Sequence, residues 1–249
     1  MRRAAAAVAV AVALAAAGCG SSGDAAGRRS VTVVAAASLT EPFTDLGRRF
    51  EAADPGVEVE MAFAASPSVA AQVRAGAPAD VVATADRVVV DALAAEGLTG
   101  PVRTFARNRL AVAVAPGNPR GIRTVDDLAR PGVDLVVCAP EVPCGKLAAA
   151  ALAGAAVAPR PRSYEPDVKA VLGRVVLGEA DAGLVYATDV RSAAGRVDGM
   201  PLDGPGLMAE YGIATVMASD DPRSARAFVD FVASPAGRDV LTSTGFEVP

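Results

Sequence analysis

Two of the chain's three cysteines lie six positions apart in the segment CAPEVPCG, which covers residues 138 to 145. A disulfide needs Cα atoms about 5.5 Å apart, and a turn from a strand end to a helix start brings Cys138 and Cys144 to that spacing. Pro143 fixes its own backbone angle and Gly145 permits close approach, so the bond would hold the Cys144 amide rigidly. A disulfide that only stabilises the fold is an equally compatible interpretation. Two cysteines alone cannot complete a metal site, because no histidine or nearby third cysteine is present.

Three hydroxyl side chains lie at or just beyond the ends of predicted strands. Ser38 follows VTVVAA, Ser66 follows VEVEMAF, and Tyr186 lies at the end of AGLVYA. The loop SYEPDVKA opens a further helix near Val168. The first-turn amides of a helix have no partner within it, and the helix dipole adds to their attraction for an anion. Alternatively, each serine caps its own helix, and Tyr186 packs with its hydroxyl at the surface.

The composition excludes several classes of function. The chain has 24 basic and 28 acidic residues, a formal net charge of −4, and lacks a basic patch, which argues against nucleic-acid binding. Without histidine, Ser-His-Asp and Cys-His catalysis are impossible. A secreted serine hydrolase, with Ser38 or Ser66 activated by Lys146 or Lys169, stays formally open, although neither serine lies in a G-x-S-x-G frame. A structural or adhesive lipoprotein is a third alternative. We do not expect an enzyme.

The first residues are typical of an export signal. Two arginines precede an apolar run, residues 4–17, that is shorter than the roughly 20 residues needed to span a membrane. Small residues before Cys19 resemble a bacterial lipobox, so we predict a signal peptide over residues 1–18, lipidation of Cys19 and a flexible tether over residues 19–29. Cleavage without lipidation is the alternative. The mature protein is then expected at the outer face of the cell membrane or in the periplasm, where paired cysteines are favoured.

Strand-like and helix-like segments alternate along the rest of the chain. After the first strand, for example, one helical face carries Leu39, Phe43, Leu46 and Phe50. Another helix is predicted over TVDDLAR (124–130). This alternation predicts an α/β protein with open, mostly parallel sheets covered by helices. Two such runs meet near residue 107 without a long linker, which indicates two lobes that face a cleft. Ligands of such sheets collect where strands end and helices begin.

Several segments together resemble the periplasmic molybdate-binding proteins of ABC importers. They are VTVVAAASLT, FAASPSVAAQVRAGAPADVVATAD, EVPCGKLA, EPDVKAVLGRVVLGEADAGLVYATD and FVDFVASPAGRDVLTSTGF. The resemblance extends from about Val31 to the C-terminus and implies the two-lobed periplasmic-binding-protein-like fold, in which the chain crosses twice between lobes. Lobe 1 would comprise residues 30–107 and about 206–249, and lobe 2 residues about 108–205.

The resemblance also implies the ligand and the residues that hold it. Molybdate, or tungstate equally, would be bound by neutral hydrogen-bond donors, namely Ser38, Ser66, Cys144, Val168 and Tyr186. Cys144 stands where many relatives have alanine, so its contact would be the backbone amide. Pro67 removes one possible amide from the turn at Ser66. The implied partner is the membrane permease of an ABC importer, the protein would act as a monomer, and no cofactor is expected.

The selectivity of such a site depends on hydrogen-bond type and on size. Donors alone can satisfy a dianion, but the remaining proton of phosphate needs an acceptor. Asp167, next to Val168, would weaken this argument if its carboxylate pointed into the cleft rather than capping a helix. Sulfate has the charge and shape of molybdate but is smaller, so a protein that binds sulfate or another tetrahedral oxyanion is the alternative.

Overall fold

The structure is a computed structural model that describes residues 28–154, 159–202, 204 and 206–249. The predicted signal peptide, the predicted lipidation site Cys19 and residues 20–27 of the predicted tether lie outside these residues. Within the described part of the chain, no helix is long and apolar enough to cross a membrane.

Strands and helices alternate along the described residues. The strands are β1 (Arg29–Ala36), β2 (Val57–Ala64), β3 (Val81–Thr84), β4 (Arg103–Val114), β5 (Leu135–Cys138), β6 (Ser163–Glu165), β7 (Ala182–Tyr186), β8 (Asp198–Pro201) and β9 (Met208–Thr215). The α-helices are α1 (Thr40–Ala53), α2 (Ser66–Arg74), α3 (Arg87–Ala95), α4 (Pro143–Ala153), α5 (Val168–Val176), α6 (Ala187–Ser192), α7 (Pro222–Ala233) and α8 (Pro235–Thr244). Short 3₁₀ helices cover Ala37–Leu39 and Asp126–Ala129.

The strands form one curled sheet in the order β2-β1-β3-β9-β4-β7-β5-β6, and β8 pairs with β4. The group β2, β1 and β3 is parallel, and so is the group β6, β5 and β7. The pairs made by β4 and β9 are antiparallel. The predicted parallel strands with covering helices are therefore confirmed, and the antiparallel pairs arise where the chain passes from one parallel group to the other and returns.

Strand β4 divides this sheet into two halves. Its residues Arg103–Arg109 pair with β9, whereas Leu110–Val114 pair with β7 and β8. We call the part that contains β2, β1, β3 and β9 the first half, and the part that contains β6, β5, β7 and β8 the second half. The chain enters the second half through β4 and returns to the first half through β9.

Helix α1 shows why this sequence folds against the first half. Phe43, Leu46 and Phe50 recur at helical spacing and are all buried, which confirms the predicted apolar face. The rings of Phe43 and Phe50 pack against Phe228 of α7, with ring centroids 6.2 and 5.4 Å away. Burying one such side chain contributes about 1.5–3 kcal/mol, so these contacts fix α1 and the turn before it, which carries Ser38.

The predicted helix over residues 124–130 is wrong in type and length, since only Asp126–Ala129 form a 3₁₀ helix. The carboxylate of Asp127 accepts hydrogen bonds from the backbone amides of Arg123 and Thr124 at 2.8 and 2.9 Å. Side-chain bonds to nearby amides compete with the α-helix, and here they hold the segment as a tight turn.

Candidate functional site

One small cavity between the two halves is lined by all the residues that the sequence assigns to a ligand, namely Ser38, Ser66, Cys144, Val168 and Tyr186. The cavity offers about 20 Å³ to the centre of a water-sized sphere. By the same measure a single water molecule needs about 10–15 Å³. The closed arrangement therefore leaves room for one small species. The two serines come from the first half of the sheet, and the other three residues come from the second half.

Ser66 is the first residue of α2, and it does not cap that helix. The residue at the N-cap position is Ala65, which forms no side-chain cap. The Oγ atom of Ser66 instead accepts a hydrogen bond from the amide of Ala85, at 3.0 Å, and the side chain is buried. The capping interpretation is thus wrong for Ser66. Because its oxygen accepts from the backbone, its own proton is available to the cavity.

Ser38 lies in the 3₁₀ turn after β1 and likewise caps no helix, so the capping alternative is wrong here too. Its Oγ atom lies 2.9 Å from the hydroxyl of Tyr211 on β9. The side-chain amide of Asn108 donates to the Tyr211 oxygen at 3.4 Å and to Thr188 Oγ1 at 2.8 Å. Either hydroxyl can donate in the contact between Ser38 and Tyr211; when Tyr211 donates, the Ser38 proton is free for the cavity.

The sequence did not identify Tyr211 and Asn108 as functional residues. Both lie within the strands β9 and β4, which join the two halves, rather than at a turn from strand to helix. Their contacts with Ser38 and Thr188 span 173 and 80 positions of sequence. The one available signal was scarcity, because the chain has only three tyrosines.

The hydroxyl of Tyr186 is the least satisfied polar group of the cavity. The residue ends β7, its side chain is 1% exposed, and its hydroxyl makes no hydrogen bond of ordinary geometry with any described residue. Burial, followed by the proximity of Tyr211 and Asp189, raises the pKa of Tyr186 well above its usual value. The phenol therefore stays protonated and can donate to a ligand. The alternative interpretation, in which the Tyr186 hydroxyl reaches the surface, is therefore wrong.

Cys144 lines the cavity at the end of the segment that begins at Cys138. The two cysteines are disulfide-bonded, with Cα atoms 5.8 Å apart. Helix α4 begins at Pro143 with no side-chain cap, so the Cys144 amide in its first turn has no partner in the helix. A Cβ atom at Gly145 would lie 1.9 Å from the carbonyl oxygen of Ala139. Only glycine fits this approach of the helix to the strand.

Val168, the first residue of helix α5, lines the cavity from a similar position. The carboxylate of Asp167 accepts hydrogen bonds from the amides of Lys169 and Ala170, at 2.8 and 3.0 Å. The capping role of Asp167 is therefore confirmed, and a single oxygen, Oδ1, accepts both of these hydrogen bonds, while Asp167 also lines the cavity. The Val168 amide is the first-turn donor that this cap leaves unsatisfied.

Neither lysine is available as a catalytic base for the serines. Lys146 Nζ lies 3.3 Å from a carboxylate oxygen of Asp86, and Lys169 Nζ lies within 3.0 Å of Glu41 and Asp189. Burial by itself lowers the pKa of Lys169, but the two carboxylates outweigh it and raise that pKa. Among the described residues, no cluster of Cys, Asp and Glu side chains is suited to a metal ion.

Comparisons with known proteins agree with this geometry. The chain is 42% identical over 230 residues to the molybdate-binding protein ModA of Mycobacterium tuberculosis (strain H37Rv), covering 92% of this chain and 88% of that protein. It is 32% identical over 234 residues to ModA of Escherichia coli (strain K12), covering 88% and 89%. These relatives are binding proteins rather than enzymes.

Solved structures show the same two-lobed fold. The periplasmic molybdate-binding protein of Azotobacter vinelandii has a TM-score of 0.73 at 20% identity, covering 88% of this chain and 99% of that one. The sulfate-binding protein SubI of M. tuberculosis has a TM-score of 0.74 at 20% identity, covering 88% and 87%. The predicted fold class is thus confirmed. Residues 31–247 match the model of bacterial extracellular solute-binding proteins, and the chain belongs to this family of exported proteins.

Proposed function

We propose that this protein is the solute-binding component of an ABC importer and captures molybdate, or tungstate equally, in the cavity between Ser66 and Tyr186. Relatives at 42% and 32% identity are molybdate-binding proteins. The observation that carries the proposal is the buried Tyr186 hydroxyl, which makes no hydrogen bond of ordinary geometry with any described residue. Such a group costs about 1–3 kcal/mol when left unsatisfied, and an oxyanion in the cavity would satisfy it.

Five donors would surround the ion, and all of them are uncharged. They are the hydroxyls of Ser38, Ser66 and Tyr186 and the backbone amides of Cys144 and Val168. Hydrogen bonds to an ionised acceptor are about twice as strong as neutral ones, and the first turns of α4 and α5 add their dipoles. A dianion is therefore stabilised without a salt bridge.

The same donors would disfavour phosphate, whose remaining proton needs an acceptor. The Ser66 oxygen already accepts from Ala85, and the Asp167 carboxylate accepts from two amides of its own helix. The Ser66 oxygen and the Oδ1 atom of Asp167 are thus already used as acceptors within the protein, and the excess of donors over acceptors would disfavour a protonated oxyanion. Sulfate carries no such proton, so its exclusion depends on size.

The proposal assigns residues 30–107 and about 206–249 to lobe 1, and about 108–205 to lobe 2. The change of partner on β4, between Arg109 and Leu110, supports this division. An ion that contacts both lobes favours the closed form, because only that form offers it every donor. The closed protein, a monomer anchored through a lipid on Cys19, would then deliver the ion to the permease. The oxyanion is the cargo, and no cofactor takes part.

Isothermal titration calorimetry with four oxyanions tests this function. Molybdate and tungstate should bind tightly with similar affinities, sulfate should bind much more weakly, and phosphate should not bind. Ligand at about 100 times its Kd should also add roughly 2.7 kcal/mol to the free energy of unfolding. Equal affinity for sulfate would replace molybdate with sulfate as the cargo. A melting temperature that no oxyanion changes would contradict a binding function.

A further inference from the structure

The two lysines of this chain both form ion pairs with carboxylates of the first half of the sheet. Lys169 of α5, in the second half, places its Nζ atom 2.8 and 2.7 Å from the two carboxylate oxygens of Glu41 on α1, in the first half. Lys169 directly follows Val168, and Glu41 lies three positions after Ser38. This ion pair therefore joins the segments that carry one proposed donor from each half.

The second lysine repeats the arrangement on another side of the cavity. Lys146 of α4 lies 3.3 Å from Asp86, the residue that caps α3 in the first half. Lys146 lies two positions after Cys144, and Asp86 follows Ala85, whose amide holds the Ser66 hydroxyl. This pair is longer than the contact of Lys169 and involves a single carboxylate.

Lys169 is held in place by its own half of the sheet, independently of Glu41. Its Nζ atom lies 3.0 Å from Asp189, which is fully buried, while the lysine side chain is 23% exposed. The other oxygen of Asp189 accepts a hydrogen bond from the backbone amide of Tyr186, at 3.1 Å. The ammonium group is thus fixed beside two proposed binding residues. A preorganised group loses less conformational entropy when it forms a new contact, so its pairing with Glu41 favours closure.

We propose that the Lys169–Glu41 ion pair, with Lys169 fixed by Asp189, is a latch that stabilises the closed form and raises ligand affinity. The Lys146–Asp86 pair is a weaker second latch. Separation of the two halves breaks both pairs, so each favours the closed form even without ligand. Apparent affinity scales with the fraction of protein in the binding-competent form. The effect on molybdate rests on the proposed function, whereas the effect on closure does not.

The decisive variant is Glu41→Gln, which removes the charge of the latch and leaves Lys169 and Asp189 in place. Glu60→Gln is the matched control, because Glu60 is an exposed glutamate of the first half, on β2. Small-angle X-ray scattering of the ligand-free proteins should show a larger radius of gyration for E41Q than for E60Q. Calorimetry should show molybdate binding weakened about two- to fivefold in E41Q only. Added NaCl should weaken binding by the wild type more than binding by E41Q.

The variant Lys169→Met separates the latch from a local role of Lys169. In the K169M background, Glu41→Gln should change neither closure nor affinity further, because the pair is already broken. If K169M weakens binding while E41Q behaves like E60Q, Lys169 acts only by neutralising Asp189 and the latch is wrong. If the wild type does not bind molybdate, the proposed function fails, and ligand-free scattering alone tests the latch. A larger radius of gyration for E41Q than for E60Q supports the latch, and equal radii contradict it.

Discussion

At the scale of single residues, the proposed site depends on which atoms accept and which donate. The Ser66 oxygen accepts from the Ala85 amide, which leaves its proton for a ligand. Ser38 shares a hydrogen bond with Tyr211 in which either hydroxyl can donate. Sequence reasoning placed these serines correctly at strand ends, but it could not determine the direction of their hydrogen bonds. That direction depends on Tyr211 and Asn108. Both residues lie far from Ser38 in sequence, and neither belongs to a local sequence pattern.

The variant Tyr186→Phe should affect binding and stability in opposite directions. Removal of the hydroxyl deletes a donor to the charged ligand, so molybdate affinity should fall by about 10- to 100-fold. The ligand-free protein should keep or gain stability, because a buried unsatisfied group is removed. Calorimetry and urea unfolding measure the two effects. Tyr164→Phe, at a tyrosine 58% exposed, is the control, and equal affinity of both variants would contradict the role of Tyr186.

The buried tyrosines also predict a dependence of stability on pH. The pKa of Tyr186 and that of Tyr211 are raised above 10.0 in the folded protein, chiefly by burial. The folded state therefore binds more protons than the unfolded state above about pH 10. Their contribution is fully present below that pH and is lost as pH rises towards the folded pKa values. Chemical denaturation across this range should show falling stability, and a smaller fall in Tyr186→Phe; identical slopes would contradict the assignment.

At the scale of elements, the proposed amide donors lie in the first turns of helices. The positions of these helix starts could be predicted from the sequence. Helix starts were expected near Cys144 and Val168; α4 begins at Pro143, and α5 begins at Val168 after its N-cap Asp167. By contrast, the segment over residues 124–130 was predicted as a helix. Hydrogen bonds from its backbone amides to the Asp127 carboxylate override that pattern. Local signals thus identify where a helix can start, while competing side-chain bonds decide whether it continues.

The disulfide beside α4 gives a prediction at this scale. Substitution of Cys138 and Cys144 by serine should lower the free energy of unfolding by about 2 kcal/mol, since the closed loop is short. Molybdate affinity should fall as well, because the Cys144 amide is no longer held against β5. Thermal unfolding and calorimetry of this double variant measure both quantities. A loss of stability with unchanged affinity would show that the bond stabilises the fold without organising the site.

At the scale of the whole molecule, the alternation of strands and helices was sufficient to predict the α/β class and the two runs of elements. It could not predict the antiparallel pairs of β4 and β9, because these strands lie about a hundred positions apart in sequence. It also could not predict the ion pair between Lys169 and Glu41, which lie 128 positions apart. Contacts between the halves depend on how the chain returns to the first half through β9. No local sequence pattern predicts this course of the chain.

The central claim is that neutral donors from both halves surround one tetrahedral dianion. A crystal structure of the molybdate complex, measured at the molybdenum absorption edge, tests it most directly. The account predicts a single anomalous peak in the cavity, with ligand oxygens within hydrogen-bond distance of Ser38, Ser66 and Tyr186 and of the amides of Cys144 and Val168. A peak held by arginine or lysine side chains elsewhere, or contacts with only one half, would contradict it.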